Sequence, residues 1–133
     1  TIRTVDLELA KYFKLVCVDN HTKEIKGLVA EIRVLPKKIL ETVYTITPVI
    51  VKTEEGYWKD AIKFSEFEQR LKVNLIKKWN AYHNEKIDED FDLYTMIELK
   101  NKKRAQDLWY FALGVGLGEM NSRGCGFLNY RWL

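Results

Sequence analysis

The densest group of chemically able residues lies between Gly114 and Gly126, in GVGLGEMNSRGCG. It holds Gly114, Gly116, Gly118, Gly124 and Gly126, most of the seven glycines in a chain of 133 residues. Glu119, Asn121, Ser122 and Arg123 stand between the two glycine sets. Glycine loses more backbone freedom on folding than any other residue, so such a cluster marks positive φ or close approach of another group. Backbone amides, a carboxamide, a hydroxyl and a guanidinium brought together suit an anion such as a phosphate. A long turn whose glycines serve geometry alone is the other reading, and residue types leave both open. The two histidines, His21 and His83, are the side chains that titrate near neutrality. As a general acid or base either needs a positioned partner, and neither sequence context names one. His21 falls in the turn Asp19-Asn20-His21-Thr22. His83 closes a helix, where the dipole favours its protonated form and a capping role. Cys17 and Cys125 have neither metal-ligand nor disulfide-framework spacing.

The elements around these residues narrow the chemistry. Lys102 to Gly114 reads as a helix with a glycine stop, and Cys125 to Leu133 as a strand. The order is helix, Gly-rich loop, strand. Dinucleotide fingerprints and P-loops need strand, loop, helix, with the phosphate at a helix N-terminus, so GVGLG is neither. Upstream, Tyr12 to Val18 reads as a strand and Leu28 to Leu35 as an extended segment stopped by Pro36. Val43 to Val51 is a strand in which Pro48 marks an edge or bulge, and Glu54-Glu55-Gly56 is a polar turn. Phe64 to Tyr82 is a helix. Ser65 and Glu68 form its expected capping box, and Phe64, Phe67, Leu71, Leu75, Trp79 and Tyr82 its apolar face. Lys63, Arg70, Lys72, Lys77 and Lys78 read as its solvated side, with an RNA-tracking stripe as the other reading. Asn84 to Asp92 is an acidic loop that repels phosphate, and Phe91 to Leu99 a strand. Lys100, Lys102, Lys103 and Arg104 then crowd the start of the second helix against its dipole. Either a bound anion or simple solvation accommodates them. The order after residue 40 fits an α+β, ferredoxin-like (RRM-like) split β-α-β domain over 41–133, an antiparallel sheet with two helices on one face. Residues 1–40 read as extra N-terminal strands that extend this sheet or end a preceding domain.

A hydrophobic helix, then GLGEMNSRGCGFL, then a terminal strand resembles the C-terminal signature of CRISPR-associated repeat-processing endoribonucleases of the RAMP superfamily. The glycines, Glu119, Asn121 and Ser122 match. Met120 stands where that family usually has Lys or Arg, and Cys125 where it usually has a large apolar residue. Arg123 is the candidate replacement for the missing charge. Thr45-Ile46-Thr47-Pro48-Val49 resembles the segment that opens the family's C-terminal domain. The resemblance covers about residues 28–133. It implies a tandem of two ferredoxin-like domains, of which this chain carries the second. It also implies metal-independent cleavage of CRISPR repeat RNA by the ribose 2′-hydroxyl, leaving a 2′,3′-cyclic phosphate, with no cofactor. The family's histidine sits in the N-terminal domain, and neither His21 nor His83 lies in a matching context. Gly114, Gly116, Gly118, Glu119, Asn121, Ser122, Arg123, Gly124, Gly126, Lys102, Lys103 and Arg104 are the expected RNA-binding residues, and His21 and His83 the weak catalytic candidates. Glu119 is expected to hold the loop amides or Arg123. The implied partners are CRISPR repeat RNA and, further, a second copy or other CRISPR-associated proteins.

Composition bounds the rest. Hydrophobic content of 47% suits one domain with a real core. A net charge of +3 permits RNA binding through a local patch without demanding it. The chain has neither a signal-peptide pattern nor a long apolar run, so the expectation is a cytoplasmic protein without a membrane. A start at Thr1 reads as a fragment or a processed chain. Three functions compete: the RNA-holding part of a repeat-processing ribonuclease, a silent RNA-binding RAMP subunit, and a scaffold or dimerisation module that binds no RNA. Replacing Gly118 or Gly124 by a bulky residue is expected to abolish RNA binding and spare the fold.

Overall fold

The computed structural model describes residues 3–16, 20–21, 26–27, 33–54, 56–57, 62–87, 93 and 99–133. They divide between two compact units, Thr1–Lys38 and Ile39–Leu133. In the first unit, helix α1 spans Leu7–Val16. This corrects the strand expected over Tyr12 to Val18, of which Cys17 and Val18 lie outside the described residues. The cause is a cap upstream of that window. Asp6 Oδ1 accepts the N–H groups of Glu8 (2.9 Å) and Leu9 (3.1 Å), and Thr4 Oγ1 accepts the N–H of Asp6 (3.0 Å). Satisfying the orphan amides of a first turn outweighs the strand preference of a short aromatic run. Asn20–His21 (β1) pairs antiparallel with Lys26–Gly27 (β2), so His21 lies in a strand pair and not in a turn. Of the segment expected to be extended over Leu28 to Leu35, the described residues 33–35 belong to neither helix nor strand.

In the second unit, Leu40–Thr45 (β3) pairs antiparallel with Leu128–Trp132 (β6), from Leu40↔Trp132 to Thr45↔Leu128, with an irregularity between Leu40 and Thr42. The ladder ends three residues before Pro48, as a residue without an N–H requires. Lys52–Thr53 (β4) and Gly56–Tyr57 (β5) close a small hairpin at the expected polar turn. Helix α2 spans Phe64–His83 and helix α3 Leu99–Val115. Of the strand expected over Phe91 to Leu99, only Leu93 and Leu99 are described, and Leu99 starts α3.

The capping box at Ser65 does not form. Lys63 holds the N-cap position with extended backbone and no side-chain cap, and its carbonyl accepts the N–H groups of Glu66 and Phe67. Ser65 is already helical and past the point where its hydroxyl can cap. At the other end Asn84 takes the left-handed C-cap.

The core of this unit lies where α2, α3 and β6 meet. Leu71, Leu75 and Ile76 of α2 and Ala105, Leu108, Phe111, Ala112 and Leu113 of α3 are buried, with Leu40 and Leu128 from the paired strands. The spacing 105, 108, 111, 112 is one face of a 3.6-residue helix. Phe64 and Tyr82, read as part of the α2 core face, are exposed. Polar ties lock helix to strand: the Gln106 carboxamide accepts from Leu40 N–H (2.9 Å) and donates to Leu40 C=O (3.0 Å). An α+β arrangement whose first and last strands pair antiparallel, with two long helices between them in sequence, is the ferredoxin-like pattern. Among the described residues, no helix is long and apolar enough to cross a membrane.

Candidate functional site

The Gly-rich loop leaves α3 at Gly116, whose N–H still reaches the carbonyl of Ala112 (2.8 Å). Gly114 is therefore inside the last turn of α3, and the helix stop lies two residues later than the sequence suggests. The loop returns to β6 through a short 3₁₀ turn, Asn121–Arg123. Its two legs are stitched to the segment Ile46–Ile50. Glu119 N–H donates to Ile50 C=O (2.8 Å), Gly126 N–H to Pro48 C=O (2.8 Å), and Phe127 N–H to Thr47 Oγ1 (2.8 Å). Ile46 N–H donates in turn to Phe127 C=O (2.9 Å). Pro48, which has no N–H to give, serves here as an acceptor. The Thr-Ile-Thr-Pro-Val segment is thus the physical backing of the loop. Leu117 N–H donates to Gly126 C=O (2.9 Å), which draws the two legs together.

Asn121 ties this ring from inside. Its Nδ2 donates to Leu117 C=O (3.1 Å) and Cys125 C=O (2.9 Å). Its Oδ1 accepts from the ammonium of Lys78 at 2.6 Å. The same Lys78 Nζ donates to Gly118 C=O (2.6 Å) and Gly116 C=O (3.1 Å). An ammonium has three donors, and Lys78 places all of them on the loop. Burial lowers its pKa from 10.5 to about 8, against the charge of Glu119, which acts to raise it. The solvated position expected of Lys78 is not the one it holds. One signal marks it otherwise: Leu71, Leu75 and Lys78 follow the four- and three-residue steps of the α2 core face, so Lys78 belongs to the edge of that face.

At two points a side chain would run into backbone. Gly118 has φ +69°, and a Cβ there would stand 2.6 Å from Ile50 C=O and 2.9 Å from Val49 Cγ1. A Cβ on Gly126 would run into Leu117 C=O and stand 2.8 Å from Asn121 Nδ2. The expectation that a bulky residue at Gly118 spares the fold is therefore overturned. At Gly124 a Cβ meets nothing within 4 Å.

The crown of the loop differs from its base. Ser122 and Arg123 are exposed, and Arg123 has no ion pair among the described residues. Glu119 accordingly does not hold Arg123; it lies beside Lys78 and lines an adjoining cleft. The other expected residues lie elsewhere. Lys102 is in the first turn of α3, Lys103 is exposed one residue on, and Arg104 pairs with Glu85 (3.3 Å). Glu85 also accepts from Trp79 Nε1 at 3.2 Å, and that bond first, then the Arg104 charge, holds its carboxyl below the usual range. His83 stacks on Trp79 with ring centroids 3.9 Å apart and also meets Tyr82 and Phe111. Its Nδ1 lies 3.3 Å from Trp79 C=O. His21 belongs to the first unit.

The fold defines a ferredoxin-like α+β domain whose last helix and last strand are joined by a braced glycine loop. The family model for "CRISPR associated protein Cas6, C-terminal" matches residues 34–107, more than half of the chain, and the chain belongs to that family. The match runs from the approach to β3 into α3 and stops before the loop. The chain is also 31% identical over 123 residues to CRISPR-associated endoribonuclease Cas6 1 of Methanocaldococcus jannaschii, a match covering 74% of this chain and 48% of that protein. It spans about half the length of that relative. No solved structure gives a match.

Proposed function

We propose that this chain holds CRISPR repeat RNA in the cytoplasm, as the RNA-binding half of a metal-independent repeat-processing endoribonuclease. The observation that carries this reading is the contrast within the loop. Lys78 and Asn121 consume the base of the loop in internal bonds, which leaves Ser122 and Arg123 exposed on a braced 3₁₀ turn. A hydroxyl and a guanidinium on a rigid support meet a phosphate without first being ordered, and preorganised donors are those that stabilise developing charge. Scission by the 2′-hydroxyl forms the bond from O2′ to phosphorus and breaks the bond from phosphorus to O5′. A base must take the 2′ proton and an acid must supply one to the leaving 5′ oxygen. The loop fixes the phosphate and moves no proton. His83, set against Trp79 and Phe111 and not against the loop, supports a chain that binds while another segment or chain supplies the acid and base.

Incubation of the chain with end-labelled CRISPR repeat RNA in EDTA tests this, with retention and cleavage read in the same lanes. Retention without cleavage is the expected result. Cleavage to a 2′,3′-cyclic end would place the chemistry within these residues and make His83 and His21 the first to replace. Absence of both signals at low salt would reject the RNA reading in favour of a scaffold.

A further inference from the structure

Beside the loop, a cleft of about 300 Å³ is lined by residues of α2, by Val51 and Lys52, and by Gly118 and Glu119. That volume is at the lower end of the range for ligand pockets and suits a single nucleotide. Its lining mixes aliphatic and polar residues. Val51 and Val73 supply aliphatic surface, and Val51 is buried. Gln69 and Asn74 of α2 both line the cleft. Asn74 stands apart from the rest of the lining. Its Oδ1 is the one buried side-chain polar atom without a hydrogen-bond partner among the described residues. An amide whose inward oxygen makes no bond gives up nothing at that atom when it turns its acceptor towards a ligand. Lys52 and Lys77 are exposed at the rim and make no ion pair among the described residues, whereas the third cation, Arg70, is held by Glu66 at 2.9 Å.

We infer that this cleft seats one splayed-out base of the bound RNA, read at its edge by Gln69 and Asn74, with the adjoining phosphates met by Lys52 and Lys77. The inference rests on the RNA-binding reading above and adds a site of sequence preference to it. Sequence-specific RNA recognition works on unstacked bases whose edges are hydrogen-bonded and whose faces are packed. A carboxamide offers a donor and an acceptor side by side, the pattern that pairs with adenine. Glu119, also in the lining, accepts from an exocyclic amine and repels the carbonyl oxygens of uracil. The base is therefore one with an exocyclic amine, adenine first and uracil last.

An abasic scan of labelled CRISPR repeat RNA against the intact chain tests the pocket. One position is expected at which removal of the base weakens binding roughly tenfold, the scale of a lost packed base. Replacement of that base by uracil should also weaken binding. In Gln69→Ala, an exposed position that leaves the core untouched, and in Asn74→Leu, removal of the same base should cost far less. A scan with no sensitive position, or one whose sensitive position is unchanged in both variants, overturns the pocket and leaves the RNA-binding reading standing. Uniform weakening across all positions with a shallower salt dependence also overturns it, since that is the mark of phosphate contact alone. No binding by the unaltered chain overturns both.

Discussion

Lys78 is the residue on which the loop turns. A lysine is long enough to lie with an apolar stem along the α2 core face while its ammonium reaches polar acceptors beyond it. Here those acceptors are two loop carbonyls and the Asn121 carboxamide. Lys78→Met keeps the stem and removes the donors. It is expected to lower unfolding stability by about 2 kcal/mol, the scale of charge-assisted bonds lost with their acceptors left buried, as read by urea denaturation. The pH dependence has a definite sign. The folded-state pKa is about 8 against 10.5 for an ordinary lysine, so between those values the unfolded chain holds the proton more firmly. Stability therefore rises as pH goes from 8 towards 10.5. A neutral amine keeps two N–H donors, so two of the three bonds to the loop survive the loss of charge. Denaturation at pH 7.5 and 9.5 should show this gain in the unaltered chain and not in Lys78→Met. Arg123 makes the opposite case, since its surroundings leave it exposed. If it meets phosphate, Arg123→Ala should reduce the slope of log binding constant against log salt by about 0.7, the value of one single-strand phosphate contact, with the melting temperature unchanged.

The loop and the helices set which glycines tolerate change. Gly118 needs both its positive φ and its missing Cβ, because Ile50 C=O and Val49 occupy the space. Gly118→Ala is expected to cost about 3–4 kcal/mol, combining left-handed backbone with overpacking. Gly124 has φ +85° and open space around it, so Gly124→Ala should cost only about 1–2 kcal/mol. Equal losses in the two variants, measured by urea titration, would mean that packing at Gly118 relaxes freely. Under the proposed function, Gly124 is accordingly the position at which loss of RNA binding is expected to separate from loss of fold. In the first unit, α1 depends on its cap. Asp6→Ala removes the acceptor for two first-turn amides and should destabilise that helix by about 1 kcal/mol, seen as lost amide protection at Glu8 and Leu9 in hydrogen exchange.

Across the molecule, a net charge of +3 is too small for a general attraction to RNA. Under the proposed function, binding has to come from local placement, with Arg123 at the loop crown and Lys52 and Lys77 at the cleft rim as the proposed contacts. Arg104 and Arg70, by contrast, are spent in pairs with Glu85 and Glu66. The fold class was legible because its signals are local. The α2 periodicity, the glycine stop after α3 and the strand that follows the loop are each specified within a few residues, and the order of elements restricts the topology. The resemblance of GLGEMNSRGCGFL was likewise a property of neighbouring residues. Two local readings failed because the deciding group lay just outside the window: Asp6 turned Tyr12–Val16 into helix, and the extended backbone of Lys63 left Ser65 without a capping role. What tertiary structure alone decided is which polar groups meet across long sequence distance. Lys78 and Asn121 are 43 residues apart, and Thr47 and Phe127 are 80 apart. A sequence records that each can donate or accept. It does not record which partner burial will force upon it, because an unpaired group in the interior is costly and is satisfied by whatever the packed helices and strands bring within reach.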